Sequence, residues 1–295
     1  MIPPLLSDLA AVLAPSLLLT LVGFLWGRSS WHFDQEFVTR VVTNVGAPCL
    51  VFSALTKTPL PGHEVLAMSG ATLVCLAIFA AVGSAVLAGA RLSLRTYLPS
   101  ILFPNIGNMG LPICLFAFGE RGLTLATVYF AATSVIQFTA GPAIAAGRPD
   151  LRFLLRVPFI YAVAAALAVG SAGLTMPSWV SNTVSLAGGL TIPLMLLALG
   201  VALARLRASS LPRATALSFL RIGLGIATGF GVAHLFGFSG AERGVLVIQS
   251  AMPTAVFNYL FASLFGTEPE EVAGLVLVST TLSYATLPIL VALVM

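Results

Sequence analysis

Phe103-Pro104-Asn105-Ile106-Gly107-Asn108-Met109-Gly110-Leu111-Pro112-Ile113 lies in the middle of an apolar run that is otherwise long enough to be one helix crossing a bilayer. Two prolines, two glycines and two asparagines within so short a stretch do not continue a helix. Each proline removes a backbone donor and clashes with the preceding turn, and glycine tolerates unwound backbone. In hydrocarbon, the amide and carbonyl groups freed by such a break need partners inside the protein or in a water-filled cavity. Asn105 and Asn108 supply donors and acceptors, with capacity to spare for a ligand. Read alone, the segment also fits a proline-kinked helix whose asparagines bind neighbouring helices.

The pattern returns in the second half of the chain. Gln249-Ser250-Ala251-Met252-Pro253-Thr254-Ala255-Val256-Phe257-Asn258 again gathers polar groups around a proline at mid-span. Two broken helices from opposed halves would cross near the bilayer centre. The positive N-terminal ends of their half-helices would then face one shared site. Such a site suits an anion without a dedicated cationic side chain. Finding the break twice, at matched positions, favours a binding site over two unrelated kinks. Its candidate residues are Asn105, Gly107, Asn108, Pro112, Gln249, Pro253 and Asn258.

Composition says the same about the solvent. Of 295 residues, 58% are hydrophobic and 8% charged, against about a quarter charged in soluble domains. Ten apolar runs of spanning length are expected, at 5–26, 36–56, 64–90, 96–119, 122–144, 154–174, 179–204, 213–236, 242–265 and 271–294. No gap between them is long enough for a soluble domain. The first run has no basic residue ahead of it and no small-residue cleavage site, so it reads as a membrane helix and not a removable signal. Trp26, Trp31, Tyr97 and Trp179 fall at run edges, where amphipathic rings prefer the interface. Cys49, Cys75 and Cys114 lie inside apolar runs without metal-binding spacing and read as small buried hydrophobes. A net charge of +4 is too small to imply a nucleic-acid partner.

The basic residues set an expected orientation. Arg28, Arg40, Arg91, Arg95, Arg148, Arg152, Arg156, Arg205, Arg207 and Arg213 belong to odd-numbered loops, whereas only Lys57, Arg121 and Arg243 belong to even-numbered ones. Odd loops are therefore expected in the cytoplasm and both termini outside, as in a multi-pass protein of a bacterial inner membrane. The basic loop near 145–153 divides the chain into five-helix halves, 1–146 and 152–295. Pro48 and Pro193 interrupt the second helix of each half, and Pro112 and Pro253 the fourth. An odd helix count per half inverts one half against the other, the repeat signature of secondary transporters.

The residues that carry this pattern also resemble a family. Asn-x-Gly-Asn-Met-Gly-Leu-Pro at 105–112 is similar to the fourth-helix crossover of auxin efflux carrier family transporters. Gln249-Ser250-Ala251-Met252-Pro253 resembles the partner crossover in the ninth helix, and Ser279-Thr280-Thr281-Leu282-Ser283 with Pro288 the last helix. The resemblance spans nearly the whole chain. It implies an all-α membrane fold of ten helices, shared with bile acid:sodium symporters, in which helices 1, 2, 6 and 7 form a scaffold and helices 3–5 and 8–10 a transport core. It implies alternating access, by elevator-like or rocking movement of core against scaffold, and a small organic anion as substrate.

The acidic residues depart from the sodium-coupled relatives of that wider fold. All ten fall in loops or at run ends, and the ninth-helix crossover offers Gln249 and Asn258 where those relatives place an acid. No cofactor is expected, and sodium coupling is not favoured. Facilitated efflux driven by the membrane potential is the simpler expectation, with a sodium- or proton-coupled symporter as the alternative. An intramembrane enzyme would need a nucleophile with a base, or an acid pair, at membrane depth. His234 has no evident partner, and Ser53 with Lys57 lies at a run edge. A sensor or assembly protein would leave the paired breaks without a purpose.

Three further features carry expectations. Arg221, inside the eighth run, is expected to snorkel toward the cytoplasmic face marked by Arg213, with an anion contact as the alternative. Gly223, Gly225, Gly229 and Gly231 have small-xxx-small spacing, which implies close helix packing and also admits a homodimer. Asn44, before Pro48, faces the substrate across the scaffold–core boundary or else satisfies its own kinked backbone.

Overall fold

The computed structural model describes residues 4–57, 60–147, 158–172, 174–205 and 210–295. Among these the architecture is all helical: α1 (Pro4–Arg28), α2 (Gln35–Val41), α3 (Ala47–Lys57), α4 (Gly62–Gly89), α5 (Leu94–Leu102), α6 (Leu111–Ala146), α7 (Pro158–Ser171), α8 (Ser178–Gly189), α9 (Thr191–Arg205), α10 (Leu211–Leu235), α11 (Gly240–Ala251), α12 (Val256–Phe265) and α13 (Pro269–Val294). Within the described residues each expected run is helical, the fourth and ninth with a break inside them. Arg148, Arg152, Arg156 and Arg207, on which part of the orientation rests, lie outside the described residues.

Among the described residues, six helical segments are long and apolar enough to cross a membrane: 35–57, 62–89, 106–146, 178–205, 211–235 and 269–294. The third of these is too long for one passage. Its 41 residues would extend about 60 Å, twice the hydrocarbon thickness. Gly119 resolves this with φ +62° and ψ −155°, a conformation that favours glycine. The chain reverses there, so that Gly122 lies against the Cys114 carbonyl. The fourth and fifth runs are thus one helical hairpin, and Glu120 and Arg121 are helical where a loop was expected.

Proline explains the other irregularities. Two π-turns, Val42–Gly46 and Ile106–Gly110, each end two residues before a proline, Pro48 and Pro112. Without an N–H, those prolines cannot bond the carbonyl four residues back, and the helix widens to re-pair it. At Pro193 the chain instead steps from α8 to α9 through Leu190.

Helix α1 packs chiefly on α9, and α3 packs on α7 and α8. Helices α4, α5, α6, α10, α11 and α13 pack on one another. At α1–α9, Gly23 meets the Leu197 backbone and Gly200 the backbone of Thr20 and Phe24, contacts that no side chain would permit. Leu17, Leu18, Leu21 and Leu25 of α1, Leu66 and Leu73 of α4, and Ile289 and Leu293 of α13 are exposed. Bands of exposed aliphatic side chains on the outer helices suit contact with lipid.

Polar side chains fasten both ends of the second group. Arg121 bridges Glu64 at 2.9 Å and Glu242 at 3.5 Å, joining the hairpin turn to the starts of α4 and α11. At the opposite end Tyr97 donates to Glu271 at 2.9 Å, and Arg213 bonds the Tyr97 hydroxyl at 3.0 Å and Glu271 at 3.2 Å. Tyr97 is therefore buried and bonded, not the interfacial anchor expected of it. Trp31, between α1 and α2, and Trp179, at the start of α8, are exposed.

Candidate functional site

The two breaks meet. After α5 the backbone leaves the helix at Phe103, and after α11 it leaves at Met252. Pro104 and Thr254 then form an antiparallel bridge between the crossing strands. The Asn105 N–H donates to the Pro253 carbonyl at 2.6 Å, and the Ala255 N–H donates to the Phe103 carbonyl at 3.1 Å. Two neighbouring side chains complete the pairing. Asn258 Nδ2 donates to the Phe103 carbonyl at 3.0 Å, and the Thr254 hydroxyl donates to the Ser100 carbonyl at 3.0 Å. From α13, Ser279 Oγ accepts the Thr254 N–H at 3.1 Å. Groups freed by each break are thus paired by the other break, as burial in a bilayer requires.

Most of the expected site residues gather here. Asn105, Gln249 and Asn258 are all at most 3% exposed, and Gly107, Pro112 and Pro253 are buried. Asn108 is half-buried in the π-turn. Gly110 lets the Gln249 carboxamide lie directly against the backbone, where a Cβ would overlap it. Gln249 Nε2 reaches the Ala126 carbonyl at 3.5 Å, and Gly107 faces Phe130 and Met195. Asn44 stands apart from this network. It is exposed, and its Nδ2 donates to the Arg40 carbonyl at 2.9 Å within its own helical segment.

Each crossing segment joins a carbonyl end to an amide end. The carbonyl ends are capped by protein donors. Phe103 O and Ser100 O are bonded from the second segment, and Ser250 O accepts from Arg221 at 2.7 Å. The amide ends, at Ile106 and Val256, carry the positive pole of the half-helices that follow. Beside them Asn105 Nδ2, Gln249 Oε1 and Asn258 Oδ1 have no hydrogen-bond partner among the described residues.

A second polar row went unread in the sequence. Thr127, Thr133, Ser134 and Gln137 of α6 are buried, and each leaves a side-chain atom unpaired among the described residues. They lie between Ala126, which bonds Gln249, and Gly141, which packs on Phe103, so the row runs past the crossing. The spacing of Thr124, Thr127, Ser134 and Gln137 marks one helical face and was the available signal.

Arg221 requires a correction. It does not snorkel: it is fully buried, and its guanidinium sits 4.5 Å from the centre of the Phe79 ring. The tight approach of α10 to α11 draws it inward. Gly225 and Gly229 face the backbone of Ser250, Ala251 and Val247, whereas Gly223 and Gly231 face open space. Half of the glycine pattern is therefore packing within the chain. Among the described residues no cluster of three or more His, Cys, Asp or Glu side chains could hold a metal ion.

Comparison with known proteins agrees with the membrane reading. A family described as "Membrane transport protein" matches residues 10–150 and 144–291. An uncharacterized transporter of Methanothermobacter thermautotrophicus is 26% identical over 87% of this chain and 88% of its own. A protein of Rhizobium meliloti named "Putative malonate transporter" is 22% identical over 95% of this chain and 94% of its own.

Proposed function

The chain belongs to the membrane transport protein family, that of the auxin efflux carriers, and from that premise we propose that it carries small carboxylates across the membrane by alternating access. The observation that carries the reading is the crossing itself. Both carbonyl ends are capped by protein, while the positive poles of the half-helices that follow stand beside the side-chain amide nitrogen of Asn105, which is unpaired among the described residues. A carboxylate accepts hydrogen bonds and is stabilised at helix N-termini. The R. meliloti relative's name adds malonate to the candidates. In this proposal α4–α6 and α10–α13 move as a core against a scaffold of α1–α3 and α7–α9, with the two halves of the chain inverted. The membrane potential supplies about 2.3 kcal/mol per 100 mV for each exported negative charge.

Cation coupling is the second reading. Gln249 Oε1 and Asn258 Oδ1 are unpaired acceptors, the kind of oxygen that a hard cation binds. Proteoliposome flux measured over mono- and dicarboxylates, malonate included, with potential, pH gradient and sodium varied separately, decides between them. Facilitated transport gives flux that follows the potential without sodium. Flux that requires sodium or a pH gradient favours coupling, and no flux of any carboxylate under any gradient sinks the carrier reading.

A further inference from the structure

Arg221 stands near the middle of α10, about 15 Å along the axis from its first residue. Its Nη2 donates to the Ser250 carbonyl at 2.7 Å, and Phe79 lies against the guanidinium. Nε and Nη1 have no hydrogen-bond partner among the described residues, and none of the ion pairs formed by described residues includes it. Ser250 Oγ lies 3.3 Å from the Tyr129 hydroxyl and 3.6 Å from Cys75 Sγ. Four helices, α4, α6, α10 and α11, thus bring polar groups to one buried point. Ser250 follows Gln249, whose carboxamide lies against Gly110 of the other break, so this point adjoins the crossing.

One role for Arg221 is plain: it caps the carbonyl end of α11, which finishes at Ala251. Capping needs one neutral donor. It does not account for two further N–H groups or for a full charge held at membrane depth, where charge is costly and marks function. A guanidinium presents its donors as a planar fork that matches a carboxylate.

We propose that Arg221 is the counter-charge for the substrate's anionic group, with the hydroxyls of Tyr129 and Ser250 completing that subsite beside the crossing. The proposal rests on the carboxylate-carrier reading above. The crossing amides then bind the rest of the substrate, and Arg221 sets the preference for an acid over its neutral analogue.

Calorimetric binding of malonate and of malonamide to the full chain in lipid nanodiscs tests this. Wild type is expected to bind malonate at least tenfold more tightly than malonamide. Arg221→Met should lose that preference while its malonamide affinity stays within about twofold, and Arg221→Lys should retain part of it. If wild type binds a different carboxylate, that acid and its amide replace the pair. A variant that keeps the wild-type acid-to-amide ratio overturns the proposal and leaves Arg221 as a helix cap. Should Arg221→Met not yield monodisperse protein, Tyr129→Phe takes its place: a drop in that ratio of threefold or more supports the subsite, and an unchanged ratio overturns it. Wild type that binds no carboxylate at all fails the carrier reading itself, and the proposal with it.

Discussion

Asn258 does two things at once. Its Nδ2 holds the Phe103 carbonyl of the opposite segment, and its Oδ1 is left unpaired beside the crossing. Gly110 has a complementary duty, since it leaves room for the Gln249 carboxamide. Gly110→Ala should swing that flexible side chain away. We expect several-fold slower carboxylate flux with an unchanged melting temperature, measured on the same preparation; wild-type flux would remove Gln249 from the site. The asparagines were legible because amides beside a proline stand out in an apolar run. Arg221 was not. Its position in the run marked it, but its partner Ser250 lies 29 residues away on another helix, and only packing decides whether a long side chain turns outward or inward.

Among the elements, the breaks were legible and their pairing was not. Pro104, Pro112 and Pro253 announce unwound backbone wherever they stand in a span, but the Pro104–Thr254 bridge is a tertiary fact. The hairpin at Gly119 was half visible, because Glu120 and Arg121 read as a loop although a single left-handed glycine makes the turn. The polar row of α6 was obscured by Thr and Ser, which occur in membrane helices for many reasons. Helix packing yields its own prediction. Gly225→Ala would drive a methyl group into the Ser250 carbonyl and Ala251, whereas Gly223→Ala meets nothing. The first should destabilise by about 2 kcal/mol and lower the melting temperature, and the second should not; equal effects would mean that α10 does not rest on α11 as described.

For the whole molecule, apolar composition gave the solvent, and the runs gave the helices within a few residues. What composition cannot supply is the direction of insertion. From the loop charges we predict that both termini lie outside, so that a tag after Met295 is cleaved by a membrane-impermeant protease added to intact spheroplasts. Protection of the tag until the membrane is opened would reverse the orientation. The crossing is the place where we propose that the molecule acts, since irregular buried backbone there lies beside the unpaired amide atoms of Asn105, Gln249 and Asn258. The most direct test is carboxylate flux through proteoliposomes holding wild type, Asn105→Ala or Asn258→Ala at matched protein content, with melting temperatures recorded alongside. The crossing as substrate site predicts flux of at least one carboxylate by wild type and a tenfold or greater loss in both variants, each still folded. Undiminished flux in both variants would contradict it.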